Sequence, residues 1–359
     1  MALFPSVVAP GDPDLFPAGE APTVCIVLLS GIGDVVHGLP LVWDVKARNP
    51  RARVVWVAEA APAEVLRHHP AVDDILVFRS RAGLAGVREL RRAMAEVRAD
   101  LTLNVQRYLK SVWPTLFSGA RVRVGLPPSK TRDGIRFFHT HVLPETAWKH
   151  SQDLFLDFRG VLGTPREDPL RWGLTFDGGE RTAQTAFRKT LEPGRPVASL
   201  VLASANPKKD WTAKGYAGLA DHLDQQGFQV LLLGGPSARE RALADAVLEE
   251  VGRKARDCLG DSVRRLMWLV DASDLVVAPD TGPLHIAHAL DVPVVGLFAH
   301  TNPWRVGPYA RYRDLVVDRY TDPGDAPDPS AYLPKDHRMD TITVEDVLDR
   351  VALARKRYL

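Results

Sequence analysis

Two α/β halves, each built around a parallel sheet, are predicted for this chain by three observations. Apolar strands alternate with amphipathic helices in both halves, the pattern of parallel βαβ units. At 359 residues the chain exceeds what one hydrophobic core usually holds. In each half an apolar run ends in a glycine-bearing or polar loop that opens a helix. Two Rossmann-like domains follow. Hydrophobic residues at 45% and charged residues at 25% give the balance of a soluble globular protein.

Taken in order, residues 1–20 carry prolines and acids but no basic segment ahead of an apolar one. No apolar run approaches the ~20 residues that span a bilayer, so a cytoplasmic protein is expected. Strands are predicted over 24–29, 53–57, 74–78, 101–105 and 122–125, separated by helical stretches such as 87–97. A second set is predicted over 197–202, 229–233, 275–278, 294–298 and 315–317. Between the sets, Pro165, Pro169 and Pro193 with several glycines frame one helical stretch and read as a linker. The segment 321–334 is rich in proline and aspartate and reads as irregular, and Thr343 caps a final helix. The expected domains are 1–165, a linker region 166–195, a second domain over 196–340, and a terminal helix from 341 to 359.

The most informative stretch is Ser30-Gly31-Ile32-Gly33-Asp34, after the first strand and at the start of a helix. Ligands of open α/β sheets bind at such carboxyl ends. The glycines let a substrate approach the backbone, and Asp34 sets a carboxylate beside it that can act as a general base. A tight turn with a helix cap would use the same residues. The dinucleotide fingerprint is broken, because Val36 stands where its third glycine belongs.

The second half repeats the arrangement. Asp280-Thr281-Gly282 follows a strand and opens a helix whose first N–H groups suit an anion. Asp280 can hold a hydroxylated ligand or cap that helix, and His285 stands one turn further in, placed to reach the same ligand or to brace the loop. Ser204, Lys208 and Lys209 follow another strand, and Gly234-Gly235-Pro236 a third. Trp304, Arg305 and Tyr309 lie beyond a fourth strand and read as packing as readily as binding.

Net charge is only +2, which argues against nucleic acid as a partner. Cations nevertheless concentrate in the first half. Arg88, Arg91 and Arg92 read as a solvated helix face, whereas the loop residues Arg79, Arg81, Lys130 and Arg132 suit an anionic ligand equally well. Two cysteines, Cys25 and Cys258, support neither a disulfide scaffold nor a thiolate metal site. Asp12 and Asp14 form an Asp-x-Asp pair that sits before the first strand and reads as solvated; no metal and no cofactor are expected.

These pieces together resemble the bacterial heptosyltransferases of glycosyltransferase family nine. The matching motifs are Ser30-Gly31-Ile32-Gly33-Asp34-Val35-Val36-His37, Lys209-Asp210-Trp211, Leu233-Gly234-Gly235-Pro236, Asp280-Thr281-Gly282-Pro283-Leu284-His285 and Thr301-Asn302-Pro303-Trp304-Arg305-Val306-Gly307-Pro308-Tyr309, in the family's order. The resemblance implies an α/β GT-B fold, two Rossmann-like domains facing a central cleft, with the final helix returning toward the first. It implies metal-independent, inverting transfer of a heptose or related sugar from an ADP-sugar, ADP-heptose above all. The implied acceptor is the lipopolysaccharide inner core or another anionic lipid-linked glycan, met at the inner membrane surface by peripheral contact.

Under that resemblance Asp34 is the base. Ser204, Lys209, Asp280, Thr281, Gly282 and His285 take the donor; Gly33, Arg79, Arg81, Lys130 and Arg132 take the acceptor. The acid after Gly-Gly-Pro aligns with Glu240 or with Ala238, which leaves a ribose role for Glu240 open. Two other classes compete: a non-catalytic nucleotide-sugar-binding protein and a Rossmann-type oxidoreductase. Against the oxidoreductase stand the broken glycine spacing and Glu59, which follows Gly33 by about 26 residues instead of the usual ~20.

Overall fold

A computed structural model describes residues 5–9, 15–165 and 169–359; Asp12 and Asp14 lie outside the described residues. The chain divides into two compact units, Met1–Thr175 and Phe176–Leu359.

The first unit holds a seven-stranded parallel sheet built from β1 (Ser6–Val7), β2 (Thr23–Val27), β3 (Arg53–Ala58), β4 (Asp74–Val77), β5 (Leu101–Asn104), β6 (Val122–Gly125) and β7 (His141–Val142). Their order across the sheet is β1-β7-β6-β5-β2-β3-β4. The second unit holds six parallel strands, β8 (Val197–Val201), β9 (Gln229–Leu233), β10 (Ala255–Asp257), β11 (Leu275–Pro279), β12 (Val294–Phe298) and β13 (Val316–Asp318), in the order β10-β9-β8-β11-β12-β13. Leaving out the short edge strand β1, both sheets follow the doubly-wound order 3-2-1-4-5-6. The order therefore reverses between β2 and β5 in one unit and between β8 and β11 in the other. Those are the switch points at which such sheets bind ligands.

Burial explains why these runs are strands. Val24, Cys25, Ile26 and Val27 are all buried, as expected of a parallel strand covered on both faces. On one face Cys25, Val27, Val55 and Val57 pack with Leu90 and Met94 beneath the helix Leu84–Ala93. That helix exposes Arg88, Arg91 and Arg92 on its other side. Burial pushes the Cys25 thiol up to about 12, so it serves as a small apolar side chain. The predicted strands are all present. The three that sequence periodicity missed, β1, β7 and β10, are two or three residues long, too short to show a period.

The helical stretch expected within 166–195 is Gly178–Arg188, a helix of the second unit started by a capping box of Asp177 and Glu180. It packs on the helix Val263–Asp271, where the Gln184 amide donates to the Trp268 carbonyl at 2.8 Å and Arg264 forks onto Glu180 at 2.6 Å. Gly178 and Gly179 fall in its first turn, where they do not break it. The final helix, Val344–Arg357, belongs to the second unit. Its buried stripe of Val347, Val351 and Ala354 covers the helix Ala213–Gln225 and β12, and Asp314 accepts from Arg357 at 2.6 Å and from Tyr358 at 2.9 Å. Among the described residues no helix is long and apolar enough to cross a membrane.

One glycine closes the first sheet tightly. A Cβ on Gly125 would stand 2.1 Å from the His139 ring. Burial, with Arg123 nearby, holds His139 down to about 4, so the ring is neutral and its Nε2 lies 3.0 Å from the Asn104 amide. Gly125→Ala is expected to cost the first unit about 1–3 kcal/mol by overpacking, read as a lower urea midpoint. An unchanged midpoint would show that the ring has room to move.

Candidate functional site

In the first unit the chain leaves β2 through Leu28, Leu29 and Ser30. The Gln106 side-chain oxygen Oε1, just past β5, accepts from Leu29 N at 2.8 Å and Ser30 N at 3.3 Å, tying the two strand ends at the switch point. Gly31 has φ 85°, in the left-handed region that favours glycine, and a Cβ there would stand 2.6 Å from a carboxylate oxygen of Asp34. Glycine is thus needed both for the turn and for the space that Asp34 folds back into. Asp34 and Gly33 are half-buried in the first turn of the helix Ile32–Gly38. His37 faces inward instead, its Nδ1 3.0 Å from the Gln152 side-chain oxygen.

Beside Asp34 the sequence reading missed a residue. Arg107 donates from Nε to the Lys130 carbonyl at 2.7 Å, and its guanidinium sits 5.0 Å from the centre of the Trp148 ring. Burial above all lowers the Arg107 pKa, and Arg132 adds to this while Tyr108 and Asp34 oppose it. The guanidinium therefore lies within electrostatic reach of the Asp34 carboxylate and stays charged. Its position directly after the β5 run was the available signal, since carboxyl ends at a switch point bind ligands.

Lys130 is not a solvated loop lysine. It is buried in a short turn, with its ammonium 4.1 Å from the centre of the same Trp148 ring. Arg132 is exposed, and its guanidinium lies 5.9 Å from the Tyr108 ring. Arg79 and Arg81 are exposed at the end of β4, on the other side of β2, where Arg79 approaches Glu89 at 3.8 Å. The four cations are therefore two separate pairs flanking the Asp34 loop. Glu59, at the end of β3, is engaged by Lys110 at 2.9 Å and by the Ser80 hydroxyl.

In the second unit the switch point gathers charge around one carboxylate. Asp280, buried after β11, receives Lys209 Nζ at 2.7 Å and the Thr301 hydroxyl at 2.8 Å on one oxygen, with His285 Nε2 3.5 Å from the other. Burial alone would raise the Asp280 pKa; the hydrogen bond from His285 and the charge of Lys209 outweigh it and hold the group well below the usual carboxylate range. Asp280 therefore does not cap its helix. The N-cap position of Gly282–Ala289 falls to Thr281, with no side-chain cap bond. At that helix start Pro283 has no N–H and Leu284 N donates to the Thr281 carbonyl at 3.1 Å, so the backbone donors offered to an anion are those of Thr281 and Gly282.

The remaining residues build the walls. The Ser204 hydroxyl donates to the Asn206 carbonyl at 2.7 Å, shaping its own loop, while Asp210 accepts from Ser204 N at 2.8 Å. Arg239, unremarked in the sequence, holds both the Asp210 carboxylate and the Ser204 carbonyl. Lys208 is exposed and paired with Asp336 at 2.6 Å. Glu240 accepts from Gly235 N at 2.7 Å and the Ser237 hydroxyl at 2.6 Å, so its carboxylate braces the Gly-Gly-Pro loop. His288 accepts no role beside Asp280: its Nε2 lies 2.6 Å from the Tyr309 carbonyl, and burial lowers it to about 4. Trp304 donates to Asp318 at 3.2 Å, and Tyr309 is buried.

A Rossmann plan repeated twice in one chain, with ligand-type chemistry at both switch points and no complete dinucleotide fingerprint, is the plan of GT-B glycosyltransferases. The chain belongs to glycosyltransferase family 9 (heptosyltransferase), whose model matches residues 87–323. It is 31% identical over 301 residues to lipopolysaccharide heptosyltransferase 1 of Pseudomonas aeruginosa, covering 80% of this chain and 81% of that one. It is 27% identical over 299 residues to lipopolysaccharide core heptosyltransferase OpsX of Haemophilus influenzae, covering 83% and 85%. In fold it matches the structure of E. coli ADP-heptose lps heptosyltransferase II with a TM-score of 0.74 at 23% identity, over 94% of this chain and all of the other.

Proposed function

We propose that this glycosyltransferase moves a heptose from ADP-heptose to the lipopolysaccharide inner core, or to a closely similar anionic lipid-linked glycan, with inversion and without a metal ion. The names of its relatives support the donor and the acceptor. The observation that carries the mechanism is the division of chemistry between switch points: a carboxylate at one, and a cation beside helix-start N–H groups at the other. Inversion needs a base on the face of the sugar opposite the leaving group.

Asp34 takes the proton from the attacking hydroxyl. Lys209 and the N–H groups at Thr281–Gly282 receive the departing diphosphate, with Ser204 shaping the loop beside them. Asp280, kept ionised, accepts from sugar hydroxyls and orients Lys209, and His285 holds Asp280 in place. Lys130 and Arg132 take an acceptor phosphate or carboxylate beside Asp34, with Gly33 leaving room for the acceptor; Arg79 and Arg81 meet more distant charge. The enzyme works at the cytoplasmic face of the inner membrane, in peripheral contact with it.

The test is incubation of purified protein with ADP-heptose and inner-core acceptors, read by mass spectrometry. The expected product is heavier by one heptose. Tight NAD binding without affinity for ADP would overturn this reading, and ADP-heptose binding without any product would leave a nucleotide-sugar-binding protein.

A further inference from the structure

Of eleven large hydrophobic side chains that stay exposed among the described residues, five fall between 108 and 137: Tyr108, Leu109, Trp113, Leu116 and Phe137. Single exposed apolar residues are ordinary, but a cluster marks an interaction surface. Leu109, Trp113 and Leu116 are spaced by four and three residues along the turn Leu109–Ser111 and the helix Val112–Phe117 that continues it. That spacing makes one outward stripe. The opposite side, with Ser111, Val112 and Thr115, is buried, and Thr115 accepts from Asn104 at 2.9 Å. The turn Ile135–Phe138 packs against the same helix and brings up Phe137, which is 51% exposed.

Charge frames this stripe on one sign. Between residues 108 and 137 the sequence has six cations and a single acid, Asp133; Lys130 is buried and Lys110 is paired with Glu59, which leaves the arginines to frame the stripe. The Arg136 guanidinium lies 4.9 Å from the Phe137 ring and that of Arg132 5.9 Å from the Tyr108 ring, and Arg121 is exposed just past the helix. A second copy docking by this face would set the same cations against each other. An anionic lipid surface complements them, and its headgroup boundary is where tryptophan, tyrosine and aliphatic stripes partition.

We propose that the 109–117 stripe with Phe137 docks the protein on an anionic membrane surface. The inference rests on the reading of the acceptor as lipid-linked: the stripe leaves the carboxyl end of β5, the edge that also carries Asp34, so docking there brings a membrane-held glycan to the Asp34 loop. Lipid binding itself needs no glycan, which keeps the two readings separable.

The test is flotation of the full chain with vesicles of phosphatidylcholine alone or mixed three to one with phosphatidylglycerol, free of any glycan acceptor. Wild type is expected to float with the anionic vesicles, less so as salt is raised, and hardly with the neutral ones. The pair Trp113→Ser and Phe137→Ser is expected to weaken partition by about 10-fold or more. The pair Arg121→Gln and Arg136→Gln is expected to lose the preference for anionic vesicles. Both should keep the wild-type melting profile, ADP binding and turnover of a delipidated acceptor. Failure of wild type to float, equal flotation by the variants, or a concentration-dependent dimer abolished by the apolar pair would overturn the proposal. Heptose transfer without vesicle binding would remove the docking surface and leave the reaction standing; vesicle binding without transfer would do the reverse.

Discussion

Asp34→Asn is expected to slow heptose transfer by ~10²-fold or more while the fold and ADP binding persist, because it removes the proton acceptor and nothing of the donor site. Asparagine keeps the shape that fits over Gly31, where a Cβ would meet the Asp34 carboxylate at 2.6 Å, so the loop should keep its conformation. The loss therefore reads chemistry rather than packing. The check is turnover of the purified variant beside an ADP titration. Wild-type turnover would end the role of Asp34 as base, and loss of ADP affinity would mean that the substitution disturbs more than the loop.

Lys209→Ala is expected to weaken donor binding and slow transfer together, by about 10²-fold in transfer, since a cation on the diphosphate acts in ground and transition states alike. It should also carry a stability cost. Lys209 is one of the groups that hold the buried Asp280 below the ordinary carboxylate range, and removing it leaves that charge with the Thr301 hydroxyl and His285. Because Lys209 is partly exposed, the loss is about 1–2 kcal/mol. A folded-state pKa below the unfolded one stabilises above the ordinary carboxylate value, ~3.9, and this contribution disappears as pH falls through the depressed value. Wild type and variant should therefore differ in urea midpoint at neutral pH and converge in acid. Unchanged donor affinity and rate would move the diphosphate contact to Lys208 or to the backbone N–H groups alone.

The local pattern of the chain carried the alternation of strands and helices in both units and the placement of Asp34, Lys209 and Asp280 just beyond strand carboxyl ends. Burial of both faces makes a parallel strand continuously apolar, and a loop that binds ligands needs glycine or polar side chains, so both are written in neighbouring residues. The terminal helix was legible for the same reason, through its cap at Thr343, but its partner was not. Its Val347-Val351-Ala354 stripe says only that one face is covered, and β12 and the 213–225 helix are what cover it. A helical stretch at 178–188 was legible too, whereas its seat in the second unit, with Gln184 on the Trp268 carbonyl, was not.

Only the tertiary structure decided which loops meet. Gln106 reaches Leu29 across 77 residues, and Lys209 reaches Asp280 across 71, because strand order seats β5 beside β2 and β11 beside β8. Periodicity encodes which face of an element is buried and is silent on which strand lies next to it. Arg107 beside Asp34, the burial of Lys130 over Trp148 and the turning of Asp280 from its own helix toward Lys209 all follow from that adjacency. Each sets a charge against a group distant in sequence, settled by the packing of parallel strands and by the cost of leaving a buried ion without a partner.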